Sequence, residues 1–404
     1  MLMNTKALRA GLKRTVHILA LAIVVCLFQS MPANAQQRLE ILANVGPWPV
    51  ASNPIIYNGR LWFSVSVKGR NHNSADLWSL DPETQDLQYE QHLFSQDAGT
   101  PVVFQGLLYW PHEDPRLSLG YGAISVTDGN SWRELEIQTA QTFHVHGLVD
   151  WGGTLVAVTS AWQAGLQTSD DGGATWSAFY EHPTEPKRVS RLNAPAVVLG
   201  RLYFKLRDPF GTRLVRVAED ALAEVTQWPQ SGFHSLTSHK STLYGIVGRR
   251  GAASIWKSSW QSGRRTSQRL GASYGSGDPV DLYAGKDRLW AVFAQGNGGY
   301  VASSENGDRW NIEANFEGGE PHELIATADQ ILVTGAGENG QARIWGVKGA
   351  GLPEYSGGYR REFPVPFKLP PSDAIDWQQQ SDRLKQALGT PANFRNHGRD
   401  GLRD

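Results

Sequence analysis

Histidine, arginine and carboxylate residues recur in this 404-residue chain at matching distances from a repeated apolar anchor. The anchors are Leu61, Leu108, Leu155, Leu202, Leu243, Leu289 and Ile331. Nine residues before them stand Ser52, Gly99, His146, Asn193, His234, Val280 and His322. Eleven before stand Val50, Asp97, His144, Arg191, Gly232, Asp278 and Glu320. A separation of two returns a strand to the same face, so both layers point one way wherever the strand persists. Near neutral pH an imidazole can donate, accept, shuttle a proton or bind a metal. A guanidinium can clamp a carboxylate through two parallel hydrogen bonds. His144, His146, Arg191, Asn193, His234, Asp278, Glu320 and His322 are therefore candidate ligand-binding residues.

Such a set converges only if the repeats stack around an axis. Each anchor belongs to one phrase, an apolar pair, a turn and an apolar strand, as in Ile55–Phe63 (IIYNGRLWF) and Val102–Trp110 (VVFQGLLYW). The phrase occurs seven times at spacings of 41 to 47 residues. A period of about 40–50 built from short strands is the mark of a β-propeller with one four-stranded blade per repeat. The chain is thus expected to be all-β, a seven-bladed propeller of antiparallel blades over 36–352. In the first repeat Asn58-Gly59 marks the first turn, Ala75–Leu80 a third strand and Leu87–Leu93 a fourth. The seventh repeat lacks a clear fourth strand, whereas Arg38–Val45 is a strand without a blade. It is predicted to complete the last blade and remove an exposed sheet edge; an independent edge strand is the alternative.

In a propeller the aligned positions begin the innermost strands, at the mouth of the central channel. Loops between second and third strands open on the same face. Three are rich in polar groups: Lys68–Asn73, Pro111–Tyr121 and Lys205–Arg213. They supply Arg70, His72, His112, Glu113, Asp114, Arg116, Tyr121, Arg207 and Asp208. Arg207 is the best single choice for holding a carboxylate. The competing reading of the whole ring is polar lining for a solvent-filled axis.

Residues 1–35 read as a cleavable export signal: a basic start (Lys6, Arg9, Lys13, Arg14), the apolar run Val16–Phe28 and Ala33-Asn34-Ala35 as the cleavage site. The run is too short for a membrane span, which needs about 20 residues. A secreted or periplasmic protein is expected. The single cysteine, Cys26, lies in the leader, so the mature domain is held by its core without disulfides. The formal net charge is −1 and no basic stripe occurs, which argues against nucleic acid as a partner. No later apolar stretch reaches membrane-span length. Residues 353–404 form a Pro-rich extended tail with a short helix expected over Asp373–Leu388. The sequence does not decide the oligomeric state.

Ser169–Trp176 (SDDGGATW) has the form S-x-D-x-G-x-T-W, with weaker copies at Ser303–Trp310 (SSENGDRW) and Ser125–Trp132 (SVTDGNSW). Over 38–352 the chain resembles the sialidase-like (Asp-box, or BNR-repeat) propellers. That resemblance implies boxes on peripheral turns, away from any active site. The hydrolytic sialidases carry an early Arg-Ile-Pro segment, and no Arg-Ile-Pro occurs here. Two readings follow. The first is an exported module that binds a glycan or protein at the polar mouth. The second is a carbohydrate-active enzyme. As a uronate lyase it would use His144, His146, His234, Tyr121 or Tyr203 as base, with Arg191 or Arg207 neutralising the acid. As a glycoside hydrolase it would use Asp278 and Glu320. Gly335–Gly340 (GAGENG) and Gly271–Gly275 (GASYG) spell cofactor and nucleophile motifs outside the settings those motifs need. No metal or cofactor is expected, and the binding module is the preferred reading.

Overall fold

The computed structural model describes residues 37–352 except 47, 67–73, 116–121, 140–141, 162, 184–188, 220, 230–231, 262–263 and 271–275. The expected leader, the tail with its helix, the loop Lys68–Asn73, Arg116, Tyr121 and Trp162 lie outside the described residues. Seven antiparallel sheets, here blades 1–7, follow one another in chain order. Their inner strands are Val50–Tyr57, Val102–Phe104, His144–Trp151, Arg191–Val198, Phe233–His239, Asp278–Ala284 and Gly319–Ala326. Blade 3 shows the complete unit, His144–Trp151, Thr154–Ser160, Ala164–Ser169 and Ser177–Glu181, each strand paired with the next. No helix occurs among the described residues.

The last blade is closed as the sequence indicates: Glu40–Val45 pairs with Ala342–Gly346 as its outer strand. Just before it, Leu39 N–H donates to Asn315 O at 2.8 Å, and Arg38 pairs with Glu317, so the same segment also borders blade 6. Residues Arg38–Val45 thereby cover two sheet edges, which removes two templates for pairing with other chains.

Apolar side chains form a core cluster at every junction between neighbouring blades, with no central core. Each anchor is buried, and the residue after it turns to the other side of its sheet. There Trp62, Tyr109, Tyr203 and Tyr244 wedge against the next blade. Tyr57, Tyr109 and Tyr244 also donate their hydroxyls across a junction, to the carbonyls of Gly106, Gly172 and Asn306 at 2.8–3.0 Å.

The Ser169–Trp176 segment of blade 3 sits on the turn before its outer strand and is held by its own side chains. Asp171 accepts from the Ser169 hydroxyl (2.7 Å), the Thr175 N–H (2.9 Å) and the Thr175 hydroxyl (2.6 Å). Burial pushes this carboxyl up, but these donors outweigh it and hold it below the ordinary range. The weaker copies solve the turn differently. In blade 2, Asp128 caps the Asn130 and Ser131 amides, while in blade 6 Ser304 and Asn306 do so and Glu305 does not supply its carboxylate. Asp81 caps the matching turn of blade 1.

Around the axis the inner strands are bulged. In blades 1 and 3–7 the register with the second strand slips just below the mouth. Eight before each anchor stands a third layer, Asn53, Thr100, Gly147, Ala194, Ser235, Asp281 and Glu323, and several of these link neighbouring blades. Ser235 hydroxyl of blade 5 donates to Asp281 of blade 6 at 2.6 Å, and Leu324 N–H of blade 7 donates to the other oxygen at 2.9 Å. Glu323 accepts from Asn53 N–H, and Asn53 Nδ2 donates to Ala98 O of blade 2 at 2.9 Å. Thr100 then exchanges backbone bonds with His146 and Leu148 of blade 3. Gly99 must be glycine here, because a Cβ would stand 2.6 Å from the His146 carbonyl oxygen.

Two expectations follow. Burial lifts the Asp281 carboxyl from 3.8 to about 6 against the pull of its hydrogen bonds. Between those values the folded state holds more protons than the unfolded state, so this group's stabilisation is full in acid and is lost as pH rises through about 6. Asp281→Asn, permanently neutral, should exceed wild type at pH 8 by on the order of 1–3 kcal/mol, the gap closing by pH 4, in urea unfolding at both pH values. Asp171→Ala should cost about 1–2 kcal/mol in the same assay at pH 7, through lost turn capping.

Candidate functional site

The two sequence layers do not form an even ring. Blades 2–5 gather most of the polar groups on one side of the mouth. Blade 3 supplies His144 and His146, whose rings stack at 5.6 Å with planes 10° apart. They share a face because Val145 between them is turned into the core. Blade 2 sends Glu113 and Asp114 against them. His144 Nδ1 lies 2.8 Å from the Glu113 carbonyl oxygen and 3.6 Å from Asp114 Oδ1. His146 Nδ1 lies 3.4 Å from Glu113 Oε1, and its Nε2 lies 2.8 Å from Ser160 Oγ.

Serine, histidine and glutamate thus stand in a line, the order of a nucleophile relay. Ser160 is fully buried, however, so no substrate reaches its hydroxyl. The line instead fixes the orientation of His146 and Glu113. Burial lowers His144 to about 3, the charge of His146 adding to the effect, so His144 is neutral at pH 7 and acts as a hydrogen-bonding group. Burial raises the Glu113 carboxyl, but the His146 hydrogen bond and the charges of His146, His144 and Arg191 bring it below the ordinary range.

Blade 4 provides the cations. Arg191 and Asn193 on its inner strand lie opposite Arg207 and Lys205 on its second strand. Arg191 Nη1 donates to the carbonyls of Ser190 (2.9 Å) and Ala161 (3.2 Å). Lys205 and Arg207 share no ion pair with a carboxylate among the described residues. Burial depresses the Lys205 ammonium, and the nearby Arg207 charge depresses it further. His234 of blade 5 is lowered by burial and then by Lys205, which places it beside the same cations.

The opposite side of the mouth is arranged differently. The turn of blade 5 reaches across two blades: Gly251 N–H donates to Asp278 Oδ2 of blade 6 at 2.6 Å, and Arg250 pairs with Glu320 of blade 7. Asp278 and Glu320 therefore anchor a strap from blade 5. His322 stands on the inner strand of blade 7 and is exposed.

Several sequence candidates have other places. Tyr203 follows its anchor and is 1% exposed in the junction of blades 4 and 5, so it cannot serve as a base for a ligand in the channel. Lys205–Asp208 is strand and not loop; the turn is the tight Pro209-Phe210. His112 is buried against Ser125 Oγ at 2.9 Å, and Asp208 is held by Arg213 and His182. Val50 and Asp97 are also buried, Asp97 accepting from the Ser66 hydroxyl at 2.9 Å.

Ser160, Lys205 and Arg250 were not singled out by the aligned layers. Lys205 was legible in principle, because it alternates with Arg207 and lies between the buried Phe204 and Leu206. Ser160 and Arg250 had no such signal. Among the described residues no group of three or more potential ligands is arranged to hold a metal, and no helix is long and apolar enough to cross a membrane.

No protein-family model matches the chain, and no curated protein matches it in sequence. Solved structures do. YCF48 from Cyanidioschyzon merolae is 10% identical with a TM-score of 0.54, over 77% of this chain and 99% of that one. A PL25 ulvan lyase is 12% identical with a TM-score of 0.50, over 79% and 96%. A PL25 ulvan lyase bound to -[GlcA(1-4)Rha3S]- aligns at 12% identity and a TM-score of 0.50, over 78% and 96%. At these identities the likeness is one of fold: the chain is a seven-bladed β-propeller, as these proteins are.

Proposed function

We propose that this protein is an exported propeller of the sialidase-like, Asp-box kind that binds an acidic glycan at the mouth of its channel without turning it over. The observation that carries this is the pair Lys205 and Arg207, neighbouring cations on the second strand of blade 4 that lack a carboxylate partner among the described residues. Burial already disfavours the charge on Lys205, while Arg207 beside it is exposed and open to a ligand, and an acidic ligand would supply the counter-charge that both lack. Arg191 and Asn193 lie across the same strand pair to orient it. His144 and His234, both held below the ordinary imidazole range, would present hydrogen bonds to hydroxyls.

Binding is favoured over lyase chemistry by the same residues. A proton acceptor works best with a pKa near the working pH. His144 is depressed to about 3, and Tyr203 is buried. The ulvan lyase bound to -[GlcA(1-4)Rha3S]- shows that a propeller of this fold can hold such a saccharide.

Calorimetric titration with uronate oligosaccharides and with neutral oligosaccharides tests the reading. Wild type should bind the uronates, and the binding should weaken as salt is raised. Lys205→Ala and Arg207→Ala should each weaken it by about 10–100-fold, the worth of one charge-assisted hydrogen bond. Ultraviolet absorbance should stay constant, since no unsaturated product forms. Equal affinity for neutral chains, or indifference to both substitutions, would overturn the proposal; rising absorbance would replace it with the lyase.

A further inference from the structure

The turn that follows Arg207 carries Phe210, the most exposed large apolar side chain among the described residues, at 82%. Arg207 lies opposite Arg191, where the inner strand begins, so this turn stands at the mouth end of blade 4. We propose, on the acidic-glycan reading of the mouth, that Phe210 is the stacking platform for the sugar ring whose carboxylate Arg207 holds. It makes the mouth prefer a pyranose uronate to a peptide acid of equal charge.

The sequence holds this ring in place from below. Asp208 pairs with Gly211, so Pro209 and Phe210 alone close the hairpin, and the proline fixes its own φ near about −65°. Asp208 Oδ1 accepts from the Phe210 N–H at 2.9 Å, an Asx turn that sets the backbone of the exposed residue. The other carboxylate oxygen is held by Arg213 on the third strand and lies 3.3 Å from His182 Nε2. His182 Nδ1 lies 2.9 Å from the Tyr180 hydroxyl, at the end of the outer strand of blade 3. Burial holds His182 below the ordinary imidazole range, so the neutral ring donates to Asp208 and accepts from Tyr180. The Asp208 side chain is 1% exposed. A buried carboxylate with partners on two blades thus serves one surface turn.

A lone exposed apolar residue is ordinary. A phenyl ring set on a braced turn is different, because little conformational freedom is left to lose when a ligand covers it. Phenylalanine offers no hydrogen bond, so it recognises only an apolar face. A pyranose presents such a face in its C–H groups, and its carboxylate offers the charge that Arg207 lacks. At a rise of about 3.3 Å per residue, the Arg207 and Phe210 Cα atoms stand at most about 10 Å apart. That is within the reach of a short uronate chain.

Calorimetric titration of the full chain with trigalacturonate and, at matched charge, with triglutamate tests the assignment. Phe210→Ala should weaken trigalacturonate binding by about 5–20-fold and change triglutamate binding by no more than about twofold. Phe210→Trp should keep the wild-type affinity for the saccharide. Pro209→Gly, which keeps the ring and loosens its turn, should weaken saccharide binding by about 2–5-fold. The unfolding midpoint of Phe210→Ala should stay within a few degrees of wild type, since the side chain is exposed. No loss with Phe210→Ala, or equal loss for both ligands, would overturn the platform and leave the acidic-ligand reading standing. Failure of wild type to bind trigalacturonate at all would overturn both.

Discussion

Seven sheets share one axis only if each inner strand disposes of its polar groups where neighbours converge, and here a bulge meets that demand. It adds residues between the mouth and the hydrogen-bonded body of the strand, and turns a third layer sideways. Asp281, Glu323 and Asn53 then tie blades 5, 6, 7, 1 and 2 in succession. Asn53, Ala194 and Ser235 take left-handed backbone conformations at their bulges. For a residue with a Cβ that costs roughly 1–2 kcal/mol, which the inter-blade bonds and the wedges of Trp and Tyr offset.

The belt also explains why the mouth is uneven. Where bulge side chains are large and polar, in blades 5–7 and 1, they are consumed by links between sheets. In blades 3 and 4 the same layer is Gly147 and Ala194, which offer no side-chain link. Those blades instead carry His144, His146 and Arg191 on their inner strands and Lys205 and Arg207 on the second strand of blade 4. The strap from Arg250 and Gly251 covers the remaining side by engaging Glu320 and Asp278. Support and recognition thus divide the circle between them.

Electrostatics separates the two sides further. Glu113 offsets part of the field around His146 and Arg191, whereas Lys205 and Arg207, opposite Asn193 and Arg191, have cations and His234 as their neighbours. Like charges held together in a partly buried setting favour whatever brings an opposite charge. His144 and His234 are depressed by burial and are hydrogen-bonding groups rather than cations.

The number of blades, the closure by Glu40–Val45 and the turn chemistry of Ser169–Trp176 were written in the sequence. Each rests on spacing, strand alternation and local turn residues, which act over a few residues. That His144 and His146 share a face was legible for the same reason, since a period of two in register with an anchor names one face of one strand. What the sequence did not determine were contacts between blades. Tyr203 and Tyr109 occupy equal positions and both are buried, yet only the packing of the next sheet says so. Asp278 and Glu320 read as free carboxylates until the blade 5 turn is seen to cross over them. Ser160 acquires meaning only beside His146. A junction joins residues about 45 positions apart or more, and no local rule reaches that far, so only the assembled ring decided which polar groups were left for a ligand.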